Sequence, residues 1–417
     1  MLRGESIFLS GPGGVGKSFV VRVFSNVMKS CRGIPGAKRV AFTATTGCAA
    51  CGISGETIHS WAGVGTSLSS DLTAMQLNWR LDKAAKQRWR NTDCLVIEEI
   101  SMMSASSLDK LSQLASVVRE NKLPFGGLQV ILCGDLFQLP PVESTASYCF
   151  QADVWPQLFA SPQSVVLLTG IIRQEDESFC QLLNELRWGY ISENTNSVLT
   201  MKSTLGGTSK SMSASGAVKL FSLKKDVSRI NTQNLSILQG RSVIYEAMDS
   251  NHGESNWSCR LDRETRAERT VELKVGAKVM LLQNLSCSVG LANGTIGEVV
   301  RFESKSGDDS DLLPVVRFLI PRIIGERTID FEKFHLMDAY QEILATRKQI
   351  PLALAYAITI HKAQGMSIPF LEVDMRGTFA CGQAYVALSR AITFDGLVLS
   401  SYFPRLFKTD PTVVKFY

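Results

Sequence analysis

"SIFLSGPGGVGKSFVVRVF", Ser6 to Phe24, is the stretch that decides the fold. An apolar run, Ile7 to Leu9, is stopped by "GPGGVGKS", and the residues behind it place apolar side chains at helical spacing. Strand, glycine loop and helix in that order turn the pattern G-x-x-x-x-G-K-[ST] into a phosphate loop. Its backbone, Gly11, Pro12, Gly13, Gly14, Val15 and Gly16, can curl N–H groups around phosphate oxygens, and the helix N-terminus adds positive potential. Lys17 would reach the β- and γ-phosphates, and Ser18 would offer a hydroxyl to Mg²⁺.

Outward from the loop, the apolar runs "RVAFTA", "CLVIEE", "LQVILCGD" and "SVVLLTG" alternate with helical patterns, and each ends in polar or glycine residues. That alternation predicts an α/β fold with a parallel sheet covered on both faces and ligands at the C-terminal strand ends. One such end is "VIEE". A phosphate loop needs a carboxylate on a neighbouring strand for the metal and an acid beside it for the attacking water, which assigns Glu98 to Mg²⁺ and Glu99 to catalysis.

A chain of 417 residues suffices for two or more domains, and 45% hydrophobic against 20% charged residues is an ordinary globular balance. A net charge of +5 permits a polyanionic partner without requiring one. No apolar run reaches the ~18 residues of a membrane span, and no targeting segment is readable before the first strand. Ten cysteines lack disulfide-framework spacing, so reduced thiols in an intracellular compartment are expected. "CAAC", Cys48 to Cys51, has no second pair at zinc spacing and argues only weakly for a metal or redox role.

After Gly189, "YISENTNSVLTMKSTLGGTSKSMSASG" is rich in Ser, Thr and Gly and predicts a flexible loop. Beyond the polar stretch Asp249 to Arg269, "VGAKVMLL", "NGTIGEVVRF" and "LPVVRFLI" predict the short strands of a small β-barrel inserted into a second α/β domain, which resumes at "LALAYAITI". "SSLDKLSQLASVVRENKLPFGG" predicts a helix whose work is core packing.

"TATTGCAACGISGETIHSWAG", "GGLQVILCGDLFQLPPV", "IIRQEDESFCQLLNELRWG", "IPLALAYAITIHKAQGMSI" and "GQAYVALSRA" follow in that order. With the loop and the acid pair they resemble the petite-integration-frequency (PIF) helicases, superfamily 1B motors related to RecD that use ATP and Mg²⁺ to move 5′ to 3′ on single-stranded DNA. The resemblance runs from Ile7 to about Ser401. It implies two RecA-like P-loop motor domains, the first over 1–170 with a small wedge near 60–90, the second over 171–248 and 341–417, and an inserted barrel over 249–340.

The same resemblance implies roles for single residues. Gln138 would sense the γ-phosphate, supported by Asp135, and Arg173 and Arg390 would be arginine fingers whose planar charge stabilises the transferred phosphoryl group. Thr45, His59, Phe137, Thr359, His361 and Lys362 would line the DNA track, with hydroxyls and the Lys on phosphates and rings available for stacking. The implied partners are single-stranded DNA and duplex or fork DNA, with no membrane. The implied state is a monomeric motor in nucleus or mitochondrion, serving replication, repair, recombination or telomere maintenance.

Two departures bear on activity. Family members carry an adenine-reading glutamine upstream of the phosphate loop, whereas ten residues precede Gly11 here and none is Gln: either the sequence begins inside a longer protein or base recognition is weakened, which puts nucleotide selectivity at stake. The family also has Asp-Glu where this chain has Glu98-Glu99, and one methylene moves the carboxylate by ~1.5 Å, so slower hydrolysis is expected. Both favour a rival reading, a hydrolysis-poor paralogue that binds ATP and single-stranded DNA as an accessory factor. Lys17, Glu99, Gln138, Arg173 and Arg390 favour the enzyme. A P-loop kinase or a GTPase switch has no use for "TIHKAQG" or "YVALSRA".

Overall fold

The apolar runs of the N-terminal part become six short strands: β1 (Ile7–Ser10), β2 (Val40–Ala44), β3 (Glu56–Thr57), β4 (Cys94–Glu98), β5 (Gln129–Cys133) and β6 (Val165–Leu167). They pair in parallel in the order β3-β2-β4-β5-β1-β6. The computed structural model describes residues 1–31, 37–53, 55–65, 68, 72–141, 147–208, 217–251, 257–283, 285, 291, 293–304, 312–318, 325–337 and 343–417.

β4 shows why its run is continuous rather than alternating. Cys94 and Val96 pack with Val21 and Phe24 of the helix Lys17–Ser30 on one face. Leu95 and Ile97 share the core on the other face with Leu108, Leu111 and Leu114 of the helix Ala105–Val118. All four strand residues are fully buried, as a strand covered on both sides must be. The register then aligns the strand ends: Ala44 pairs Glu98, Glu98 pairs Cys133, and Cys133 pairs Leu9. The phosphate loop, the acid pair and the loop "GDLFQ" therefore leave the sheet side by side.

A second parallel sheet runs in the order Ala357–Thr359, Val218–Phe221, Leu371–Val373, Leu397–Leu399. Between the first two of its strands to appear in the chain, antiparallel ladders form a smaller body. Its largest sheet runs Glu326–Thr328, Leu312–Phe318, Ile296–Ser304, Lys278–Leu281, Leu352–Leu354, around a core that includes Val279, Val299, Val316 and Leu352. Val243–Glu246 pairs Thr270–Leu273, and Ile343–Gln349 pairs both Glu332–Met337 and Met248–Asn251. Among the described residues these ladders are open sheets with no closing pair. The run "LALAYAITI" is shared between bodies: Leu352–Leu354 joins the inserted sheet and Ala357–Thr359 the parallel one.

One expectation is corrected. Residues Glu193–Thr208 form a helix, not a loop. The Ser192 hydroxyl accepts the Thr195 N–H at 3.2 Å, and the Ser192 N–H donates to the Glu185 carboxylate at 3.0 Å, which fixes the start. Ser197, Thr200 and Thr204 donate their hydroxyls to carbonyls four residues back, so the polar side chains that suggest a loop are engaged inside the helix. Leu199 is fully buried and anchors it. Residues 209–216 lie outside the described part. The "CAAC" backbone lies in the helix Gly47–Gly52, while the side chains of Cys48 and Cys51 are outside the described part. Among the described residues no helix is long and apolar enough to cross a membrane.

Candidate nucleotide and nucleic-acid site

Gly11 to Gly16 lie between β1 and the helix Lys17–Ser30, which Lys17 and Ser18 open, where the pattern places them. Gly14 has φ +92°, and a Cβ there would come 2.8 Å from the Arg173 Cβ, so only glycine lets the segment from β6 approach this closely. Lys17 Nζ donates to the Gly11 and Pro12 carbonyls at 2.7 and 2.9 Å. A Cβ at Gly13 would lie 3.2 Å from Arg390 Nη2, 3.5 Å from Tyr385 Oη and 3.6 Å from Gln138 Nε2. Groups from both parallel sheets thus converge on one turn of the loop.

Glu98 ends β4 with only 4% of its surface exposed, and its Oε1 has no hydrogen-bond partner. Burial, reinforced by the Glu99 charge, pushes its carboxyl up to about 7 against the opposing pull of the Ser18 hydroxyl, Lys17 and Arg22. A buried carboxylate oxygen without a donor, beside the Ser18 hydroxyl, suits a hard divalent cation with oxygen ligands. Glu99 follows with a left-handed backbone, φ 55° and ψ 45°, a conformation that costs a non-glycine residue about 1 kcal/mol or more and concentrates at functional sites. Burial raises its carboxyl, while Lys17 and Arg390 pull it down.

Asp135 and Gln138 sit in the loop after β5. Gln138 Nε2 donates to Asp135 Oδ2 at 3.3 Å. Arg173 donates to Ser367 Oγ at 2.9 Å and to the Ser389 carbonyl at 3.0 Å, and Arg390 donates to the Val386 carbonyl and to Ser389 Oγ. Burial lowers both guanidinium pKa values, that of Arg173 also through the neighbouring Arg390 charge. The two arginines therefore stand together facing the loop, Arg390 buried and Arg173 partly exposed.

The expected DNA track divides. His59 is half-buried in the helix Ile58–Trp61, while His361 and Lys362 are exposed just past the strand Ala357–Thr359. Desolvation by the protein around the ring, with the Lys224 charge, holds the His361 imidazole below its ordinary pKa although the residue as a whole is exposed. The other three turn inward. Thr45 donates its hydroxyl to the Glu99 carbonyl at 2.8 Å. Thr359 is buried, and its hydroxyl accepts the Lys362 N–H at 3.2 Å, shaping the turn instead of facing solvent. Phe137 is also corrected: its ring is buried, with the Arg187 guanidinium 4.2 Å from its centroid and Tyr417 stacked at 5.0 Å, so no face is presented to a base.

Several site residues were not assigned from the sequence. Arg187, in "NELRWG", makes a buried ion pair with Asp135 at 2.8 Å. Gln364, in "TIHKAQG", donates to Glu99 Oε2 at 2.9 Å and to Gln138 Oε1 at 3.4 Å, two residues beyond Lys362. Tyr385, in "YVALSRA", accepts the Gly13 N–H at 3.1 Å. Each lies inside a quoted stretch, which is the signal that could have found it. Tyr417 lies outside all of them.

The model of the PIF1-like helicase family matches residues 1–197, and that of the DNA helicase Pif1 2B domain matches residues 258–302. The ATP-dependent DNA helicase PIF1 of Homo sapiens is 37% identical over 422 residues, taking in 100% of this chain and 62% of the relative, so the chain spans under two thirds of that protein's length. A crystal structure of Pif1 helicase from Candida albicans matches with a TM-score of 0.79 and 32% identity, covering 100% of this chain and 96% of that one. A Pif1 helicase from Bacteroides in complex with ADP-AlF3 and ssDNA matches with a TM-score of 0.64 and 26% identity, covering 99% and 92%. Two parallel sheets meeting over a phosphate loop, and likeness along the whole chain, agree: the chain belongs to the PIF1-like helicase family.

Proposed function

We propose that this chain is the motor of an ATP-dependent DNA helicase that moves 5′ to 3′ along single-stranded DNA and unwinds duplex or fork DNA. The observation that carries the reading is the convergence of Arg390, Tyr385 and Gln138 on Gly13, which puts the phosphate loop in the cleft between the two sheets. The Bacteroides relative in complex with ADP-AlF3 and ssDNA supports both ligands.

Lys17 exchanges its two loop carbonyls for phosphate oxygens. Ser18 and Glu98 would hold Mg²⁺, which neutralises phosphate charge when bound. Glu99 orients the attacking water and takes its proton, and Arg173 and Arg390 stabilise charge on the transferred group. Gln138, held by Asp135, distinguishes triphosphate from diphosphate. His59, His361 and Lys362 hold the strand, and the turn from His361 to Gln364 joins that grip to Glu99. The motor works as a monomer in nucleus or mitochondrion.

Unwinding of a duplex with a single-stranded 5′ tail or 3′ tail tests the reading. ATP-dependent unwinding of the 5′-tailed duplex alone is expected. Unwinding from the 3′ tail contradicts the polarity, and strand binding without turnover would establish the accessory-factor reading, which Glu98 in place of the family's Asp favours.

A further inference from the structure

Residues 404–417 leave the second parallel sheet and dock on the first. On the way, the Lys408 carbonyl accepts the Gly382 N–H at 3.0 Å, at the start of the helix Gln383–Leu388, and Thr409 Oγ1 donates to the Arg187 carbonyl at 2.9 Å. The helix Pro411–Phe416, capped by Asp410, buries Val413 and sets Phe416 against Phe150 and Trp155, with centroids 4.5 and 5.7 Å apart. Tyr417 completes the contact. Its ring stacks on Phe137, and its hydroxyl bonds Ser10 Oγ and accepts the Leu136 N–H at 3.4 Å.

The chemistry of those partners is specific. Ser10 is fully buried and directly precedes the phosphate loop. Leu136 and Phe137 lie in the loop that presents Gln138. One phenol therefore touches the residue that leads into the phosphate loop and the loop that presents Gln138, while the segment that carries it grips the helix bearing Tyr385. That helix start is itself pressed on the same loop: a Cβ at Gly382 would come 2.3 Å from the Phe137 carbonyl oxygen. We propose that residues 404–417 are a strap between the two sheets and that Tyr417 is a positioning residue for hydrolysis, fixing the phosphate loop through Ser10 and the Gln138 loop through Leu136 and Phe137. The proposal rests on the hydrolytic reading given above.

The test compares the full chain with Tyr417→Phe, Ser10→Ala, the double variant and Phe416→Ala. The readouts are ATP turnover with saturating single-stranded DNA, ADP affinity and Tm. Tyr417→Phe keeps the ring and removes the hydroxyl, so kcat falls about tenfold and ADP affinity weakens about threefold, as for a displaced catalytic group, while Tm moves by no more than about 3 °C. Ser10→Ala gives the same loss, and the double variant loses no more than the worse single one. Phe416→Ala loosens the anchor of the strap beside Tyr417, lowering Tm and costing no more kcat than Tyr417→Phe does. Wild-type kcat and ADP affinity in Tyr417→Phe, or additive losses in the double variant, overturn the strap. A wild type without turnover overturns the proposed function instead, and the ADP affinities then decide the strap alone.

Discussion

Arg187→Met removes the charge that holds the Gln138 loop while keeping a long apolar side chain in its helix. Both partners of the ion pair are buried, with side chains 5% and 0% exposed. The guanidinium donates from Nη2 to Oδ1 at 2.8 Å and from Nε to both carboxylate oxygens at 3.3 Å. Breaking such a pair by removing one partner costs ~3–5 kcal/mol. Asp135 retains the Phe137 N–H and Gln138 Nε2, each at 3.3 Å, which puts the loss at the lower end. The lost cation over the Phe137 ring adds ~1 kcal/mol, so the total is ~4 kcal/mol. Adding Asp135→Asn should restore ~1–2 kcal/mol, because no charge is then left buried. Urea unfolding of the full chain, followed by tryptophan emission with Trp188 beside the cluster, measures both values. A loss under ~1 kcal/mol, or a double variant worse than Arg187→Met alone, would mean that the pair does not hold the Gln138 loop.

Three further outcomes follow from the site. The raised Glu98 carboxyl favours its protonated form in the folded chain, so its stabilising share is full below the ordinary value of 4.5 and is lost as pH rises to about 7. Without Mg²⁺, the unfolding free energy of wild type relative to Glu98→Gln should fall by roughly 3 kcal/mol across that window, and a flat difference contradicts the shift. Gln364→Ala unlinks the His361 turn from Glu99, so the ratio of DNA-stimulated to DNA-free ATP turnover should fall about tenfold, the scale of an ordinary coupling free energy; an unchanged ratio removes the link. Lys362→Ala should lower the slope of log affinity for single-stranded DNA against log salt by ~0.7, and an unmoved slope means that Lys362 touches no phosphate.

What the sequence made legible was contiguous. Ile7 to Ser18 and Cys94 to Glu99 each carry strand, turn and chemical group in one short run, and pairing register alone brings them together. What stayed hidden depends on contacts between distant segments. Phe137 reads as an available ring until Arg187 and Tyr417 cover it. Gln364 follows Lys362 by two residues, yet its partner is 265 positions away. The helix Glu193–Thr208 was obscured because Ser and Thr favour loops only when their hydroxyls are not bonded back along a helix.

In the proposed motor, strand binding drives hydrolysis at Glu99. Steady-state ATP turnover, with and without saturating single-stranded DNA, for wild type and Glu99→Gln is the measurement that decides it. Gln keeps the shape and removes the charge, so both proteins should bind ATP and the strand, while DNA should raise turnover sharply in wild type alone, with Glu99→Gln slower by about 10² or more. Equal turnover in the two proteins, or wild-type turnover indifferent to DNA, would contradict it.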